Sequence, residues 1–105
     1  MARPQALGLV ETFGIVYCIE AADAMCKAAD VELVGFENTA SGYISALVEG
    51  DVGACKTAVA AGVKAVTDMN GTGPYSHCVI ARPHEDLQKI TKIYTLADLL
   101  PYTEE

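Results

Sequence analysis

Two apolar, strand-like runs, residues 31–37 and 43–49, flank a five-residue loop, Asn38-Thr39-Ala40-Ser41-Gly42. The loop has no bulky side chain and no charge. Small residues let backbone N–H and C=O groups come close to something else. That something is a ligand, a phosphate or another copy of the same loop.

Residues 5–12 read as a first strand, with Leu7 and Leu9 on one face. Thr12 suits the cap of the helix that follows, residues 14–29. Ile15, Ile19, Ala22, Cys26 and Ala29 fall on one helical stripe, and Glu20, Asp23 and Lys27 on another. Asp23 and Lys27 form an i, i+4 pair of the favourable order, worth a few tenths of a kcal/mol. The 31–37 strand does not alternate cleanly, which predicts burial on most sides. Asp51 is placed to cap a second helix, whose stripe is Val52, Cys55, Val59, Val63 and Val66. Ala58, Ala61 and Gly62 make that helix thin enough for close packing. Asn70-Gly71-Thr72-Gly73-Pro74 ends it. Residues 76–81 form a fourth strand, broken at Arg82-Pro83-His84 because Pro83 lacks a ladder donor. Residues 85–93 predict a short polar helix and 95–100 a further turn or two, followed by a mobile tail.

The order is strand-helix-strand, then strand-helix-strand. It predicts an α+β, ferredoxin-like βαββαβ domain with both helices on one face of a single sheet and a short C-terminal helix. Residues 5–93 make the domain, with extensions at 1–4 and 94–105. At 105 residues, such a domain buries only about two-thirds of its unfolded surface. Yet 51% of the residues are hydrophobic and the mean hydropathy is +0.26, rich for a small monomer. Extra surface is therefore expected to be buried in an assembly.

The net charge of −7 argues against nucleic acid. No run is long enough to span a bilayer, none is a basic amphipathic stretch, and the N-terminus lacks a signal-peptide core. A cytoplasmic protein is expected. Cys18, Cys26, Cys55 and Cys78 form no C-x-x-C pair and read as small core hydrophobes, with a disulfide or metal framework as the weaker alternative.

Catalytic groups are few. His77 and Cys78 are strand neighbours and point to opposite faces, so they form no dyad. His84 sits at a strand end, where a surface or interface role outweighs acid–base work. Glu11 and Glu49 end strands and could pair, but strand-end solvation is the simpler reading. Gly71-Thr72-Gly73 follows a helix instead of opening one, so it lacks the helix N-terminus of a phosphate loop. Walker, zinc and nucleophile-elbow motifs are absent. Lys27 closes a helix beside Asp30, and Arg82 sits in a rigid Arg-Pro-His corner suited to carbonyls of a neighbouring molecule. No cofactor and no metal are expected.

Four segments, Ala6-Leu-Gly-Leu-Val-Glu-Thr12, Glu20-Ala-Ala-Asp-Ala-Met25, Gly50-Asp-Val-Gly-Ala54 and Ile80-Ala-Arg-Pro-His84, resemble in order and spacing the hexameric shell proteins of bacterial microcompartments. The resemblance spans roughly residues 5–90. It implies a non-catalytic subunit, six copies of which form a flat disc, with discs tiling edge to edge around encapsulated enzymes. It places Asn38, Thr39, Ala40, Ser41 and Gly42 around a pore on the six-fold axis. It puts Lys27, Asp30, Arg82 and His84 at the hexamer edge. Six copies carry −42 formal charge, so charges belong on the faces, away from the seams. A lining of Ser41 hydroxyls and backbone N–H groups favours small polar metabolites.

This chain departs from the family's usual pore loop, which often carries a lysine and a second glycine where Asn38 and Ala40 stand. Asp30 stands where an amide is common, and an acid there could hold Lys27 back from a neighbour. Some relatives hold an iron–sulfur cluster at the pore, but residues 38–42 contain no cysteine. Two rival classes are a ferredoxin-like oligomeric small-molecule or metal-binding regulator, and a cysteine-dependent enzyme using Cys78 or Cys55.

Overall fold

The computed structural model describes residues 5–38 and 40–81. The elements run β1 (Ala6–Phe13), α1 (Ile15–Ala28), β2 (Glu32–Asn38), a 3-10 turn (Ala40–Gly42), β3 (Tyr43–Gly50), α2 (Val52–Asn70) and β4 (Ser76–Ile80). The strands form one antiparallel sheet in the order β2-β3-β1-β4. This is the expected ferredoxin-like arrangement. The helices expected after residue 81, the proposed extensions, and Arg82, His84 and Thr39 lie outside the described residues.

Register sorts the two faces of the sheet. Val10 opposes Ala46, and Gly8 opposes Val48. These residues lie under the helices, α1 resting on β3 and β1, and α2 on β1 and β4. The core gathers Val10, Cys18, Ala21, Ala22, Met25, Ala46, Val48, Ala58, Val59 and Val66. Its large side chains contribute about 1.5–3 kcal/mol each on burial. At Gly62 the two helices and the sheet meet closely. A Cβ there would stand 2.9 Å from Met25 Cγ and 3.2 Å from Val10 Cγ2. The thin helix anticipated from the sequence is thus used at this crossing.

The buried face of α1 differs from the expected stripe. Cys18, Ala21, Ala22 and Met25 are buried, whereas Ile15, Ile19 and Cys26 are exposed. Close packing explains the choice: alanines let α1 approach α2, while branched residues would hold it off. At 3.6 residues per turn the expected stripe lies roughly a quarter-turn from the core-facing one. Val52 on α2 is likewise exposed.

Thr12 is not the cap of α1. It is buried in β1, and its hydroxyl donates to the Gly14 carbonyl at 2.9 Å. Gly14 itself holds the N-cap position at φ 98°, a backbone angle that glycine adopts without strain. Asp51 occupies the N-cap of α2, as expected, but its side chain makes no capping hydrogen bond. The other end of α2 closes as the sequence predicts, with Gly71 left-handed and its N–H donating to the Thr67 carbonyl at 2.7 Å.

Strand β2 is an edge strand, not one buried on most sides, and Glu32, Glu37 and Asn38 are exposed. A bulge between Leu33 and Gly35 explains the broken alternation: Leu33 pairs with Val48, and pairing resumes with Gly35 opposite Leu47. The cysteines also divide. Cys18 and Cys55 are buried, Cys26 and Cys78 are exposed, and all four are free thiols.

Candidate functional site

The β2–β3 hairpin closes at the pair Asn38 and Ile44. Beyond it the chain makes the 3-10 turn, with Ser41 at φ 69°, ψ 26° and Gly42 at φ 85°. Ser41 is the one non-glycine residue with positive φ among the described residues. Such a conformation costs on the order of 1 kcal/mol and persists where the surroundings hold it. Here they do. The Gly42 carbonyl accepts a hydrogen bond from the Gly14 N–H at 2.9 Å, tying the hairpin tip to the start of α1. The Phe13 ring lies beside Gly42, stacks edge-on against Tyr43 at 5.2 Å, and Tyr43 in turn meets Tyr75 at 4.5 Å. Asn38, Ser41 and Gly42 are nonetheless exposed. The tip is a small, uncharged projection on a firm base.

Next to that base the chain leaves apolar surface uncovered. Phe13 is 62% exposed, Ile15 48%, Val16 64% and Ile19 55%. They run as a band from the hairpin along α1. Around the corner, Tyr75 is exposed and shares with Phe13, Tyr17, Tyr43 and Pro74 a groove of about 460 Å³. An uncovered band of this kind marks an interaction surface. Ile15 and Ile19, expected in the core, lie in this band, and Phe13 and Val16 join them. The signal available was the run Phe13-Gly14-Ile15-Val16, apolar on all sides of a helix start.

Lys27 sits in the last turn of α1, and its Nζ meets Asp23 Oδ2 at 3.1 Å, the pair expected from the sequence. The acid holding Lys27 is thus Asp23. Asp30 instead borders a cleft of about 320 Å³ with Glu32, Glu49 and Asp51. Lys27 and Asp30 are the two expected edge residues that the structure describes.

The other candidates do not assemble into chemistry. Register puts His77 opposite Val10 and Cys78 opposite Leu9, on the two faces of the sheet. Glu11 lies within β1, not at its end, and accepts a hydrogen bond from the Ser76 hydroxyl at 2.9 Å. Glu49 pairs with Leu7, four residues along from Glu11 and so roughly 13 Å away. In the Gly71-Thr72-Gly73 turn, the N–H groups of Thr72 and Gly73 both donate to Asn70 Oδ1, at 2.9 and 2.8 Å, leaving neither for a phosphate. No group of three or more His, Cys, Asp or Glu is placed to hold a metal among the described residues.

The buried thiols are deactivated. Burial pushes Cys18 up to about 11, against a smaller lowering by a hydrogen bond with Thr12. Burial also raises Cys55, helped by the negative charges of Glu49 and Asp51 and opposed by the Gly50 backbone. A thiol so raised offers little thiolate at neutral pH. Iodoacetamide labelling of the native protein at pH 7.5, read by mass spectrometry, is therefore expected to modify exposed Cys26 and spare Cys18 and Cys55. In denaturant all of these should react. Rapid native labelling of Cys55 would restore the cysteine-enzyme reading.

Comparison with known proteins adds to this geometry. Residues 6–83 match the family model of the BMC domain. The chain belongs to the BMC-domain family of bacterial microcompartment shell proteins. It is 48% identical over 93 residues to carboxysome shell protein CcmK1 of Thermosynechococcus vestitus, covering 88% of this chain and 82% of that one. It is 51% identical over 88 residues to bacterial microcompartment shell protein PduA of Salmonella typhimurium, covering 84% and 92%. A crystal structure of a microcompartment protein from Desulfitobacterium hafniense superposes with a TM-score of 0.70 at 31% identity, over 90% of this chain. This chain spans about half of that one, 49%. The chain is accordingly a structural shell protein and not an enzyme. No helix among the described residues is long and apolar enough to cross a membrane.

Proposed function

We propose that six copies close into a ring around the 38–42 hairpin tip, leaving an opening for small polar metabolites, and that rings tile edge to edge through Lys27, Asp30, Arg82 and His84. Residues 5–93 act as the shell domain, with 1–4 and 94–105 as extensions. Neighbouring rings, other shell proteins and enclosed enzymes are its partners.

The observation that carries this reading is the exposed, firmly held tip beside the uncovered band Phe13, Ile15, Val16 and Ile19. A ring closes through one heterologous interface repeated about an axis. An apolar band next to the tip supplies such an interface and brings symmetry-related tips together. Small, uncharged residues leave room where six tips converge, and Asn38 to Gly42 are of that kind. Cryo-EM of the purified protein tests it: Ser41 should line a central opening, and a Ser41 in bulk solvent far from its mates would reject the ring.

Two substitutions separate opening from edge. Ser41 is exposed and already carries a Cβ, so Ser41→Tyr adds bulk at the tip and none in the core. Rings should form normally while solute passage falls to background. Lys27→Ala removes a surface group whose partner among the described residues, Asp23, lies on its own helix. Folded rings should persist while extended sheets disappear from electron micrographs. Sheets of undiminished size would remove Lys27 from the edge.

A further inference from the structure

The chain holds no lysine or arginine between Lys27 and Lys56, a span that contains Asp30, Glu32, Glu37, Glu49 and Asp51. The nearest formal charge to the hairpin tip along the chain is Glu37, exposed and one residue before Asn38. Register sets Glu37 opposite Ser45, Ser45 opposite Glu11, and Glu11 opposite Ser76. These four make one polar row across the sheet on the face away from the helices. Two strand spacings put Glu37 and Glu11 about 10 Å apart. That is within a Debye length at 0.1 M salt, so their fields add near the tip. The described cations sit elsewhere. Lys27, Lys56 and Lys64 are all on the helices, which cover the opposite face, and two of them are engaged with Asp23 and Asp68. The tip itself offers amide and hydroxyl dipoles, which carry fractional charge where Glu37 carries a full one.

We propose that the opening selects by charge sign: it admits neutral and cationic small solutes, such as primary amines, ahead of carboxylates and phosphates of the same size. This rests on the ring reading above. Six-fold repetition places six Glu37 carboxylates around one axis, with the described cations Lys27, Lys56 and Lys64 away on the helices. A mouth of one sign raises the local concentration of the opposite sign and depletes its own.

Rings inserted in a planar lipid bilayer under a potassium chloride gradient test the sign through the reversal potential. The native chain should favour K⁺ over Cl⁻ by about fivefold in 0.1 M salt, falling toward unity near 1 M as the Debye length shrinks to about 3 Å. Glu37→Gln should remove most of the preference, and Asn38→Lys should turn it toward Cl⁻. A native opening that is unselective or favours Cl⁻, or a preference unchanged in Glu37→Gln, overturns this inference and leaves the ring reading standing. Rings without conductance, or a current that survives Ser41→Tyr, overturn the pore reading itself and this inference with it.

Discussion

Gly62→Val is expected to lower the stability of the folded chain by about 2–3 kcal/mol. The position is buried in α2 where α1, α2 and the sheet converge. The first carbon added meets Met25 Cγ at 2.9 Å and Val10 Cγ2 at 3.2 Å. Met25 and Val10 are themselves fully buried, so neither has open space to move into. Valine improves on glycine's helix propensity by about 0.4 kcal/mol, too little to offset the overlap. For a domain of this size the loss corresponds to a melting temperature lower by roughly 10–20 °C. Gly53→Ala is the matched control. A Cβ there meets nothing within 4 Å, so only propensity acts and stability should rise by up to about 1 kcal/mol. Both melts need the same protein concentration, because assembly adds to apparent stability. A Gly62→Val protein melting within about 2 °C of the native one would show that the helices do not depend on this approach.

That crossing also shows why the sequence was legible in some places and not in others. The element order and the position of every described helix and strand follow from periodicity and punctuation. Asn70-Gly71 stops α2 because the backbone angle at Gly71 is one that glycine adopts freely. The Asp23–Lys27 pair follows from helical spacing alone. Burial does not follow from hydrophobicity by itself. Ile15 and Ile19 are more apolar than Cys18 and Ala21, so a stripe built on them looked like the core. Packing distance ruled otherwise, and distance is a property of two helices together. The same holds for β2, whose apolar run hides a bulge on an edge strand. At the site, the small, uncharged composition of residues 38–42 was visible. The left-handed Ser41 and the Gly14–Gly42 bond that steadies the tip depend on residues far apart in sequence, and no local pattern announces them.

The exposed stripe on α1 carries the other large effect. Val16→Asp is expected to break the proposed ring into monomers without harming the fold. Val16 is 64% exposed in the single chain and makes no part of the core, which on α1 is Cys18, Ala21, Ala22 and Met25. The first turn of α1 contains no acidic residue. An aspartate there faces the positive end of the helix dipole and should stabilise the monomer by about 0.3–1 kcal/mol. In the ring the same carboxylate would lie in an apolar seam. Stripping it of water without a partner costs about 3 kcal/mol or more, over 100-fold in the strength of each contact. Since every seam in a ring is the same seam, all six are weakened together. Sedimentation should then show monomer at concentrations where the native chain is expected to form the proposed hexamer, with an unchanged circular dichroism spectrum and a melting curve that remains cooperative. Val16→Ala serves as the uncharged comparison. It removes about two methylenes' worth of burial, roughly 1.6 kcal/mol per seam, and should loosen the ring without abolishing it. A fully hexameric Val16→Asp protein would place the seam elsewhere on the surface, and the band along α1 would then need a different occupant.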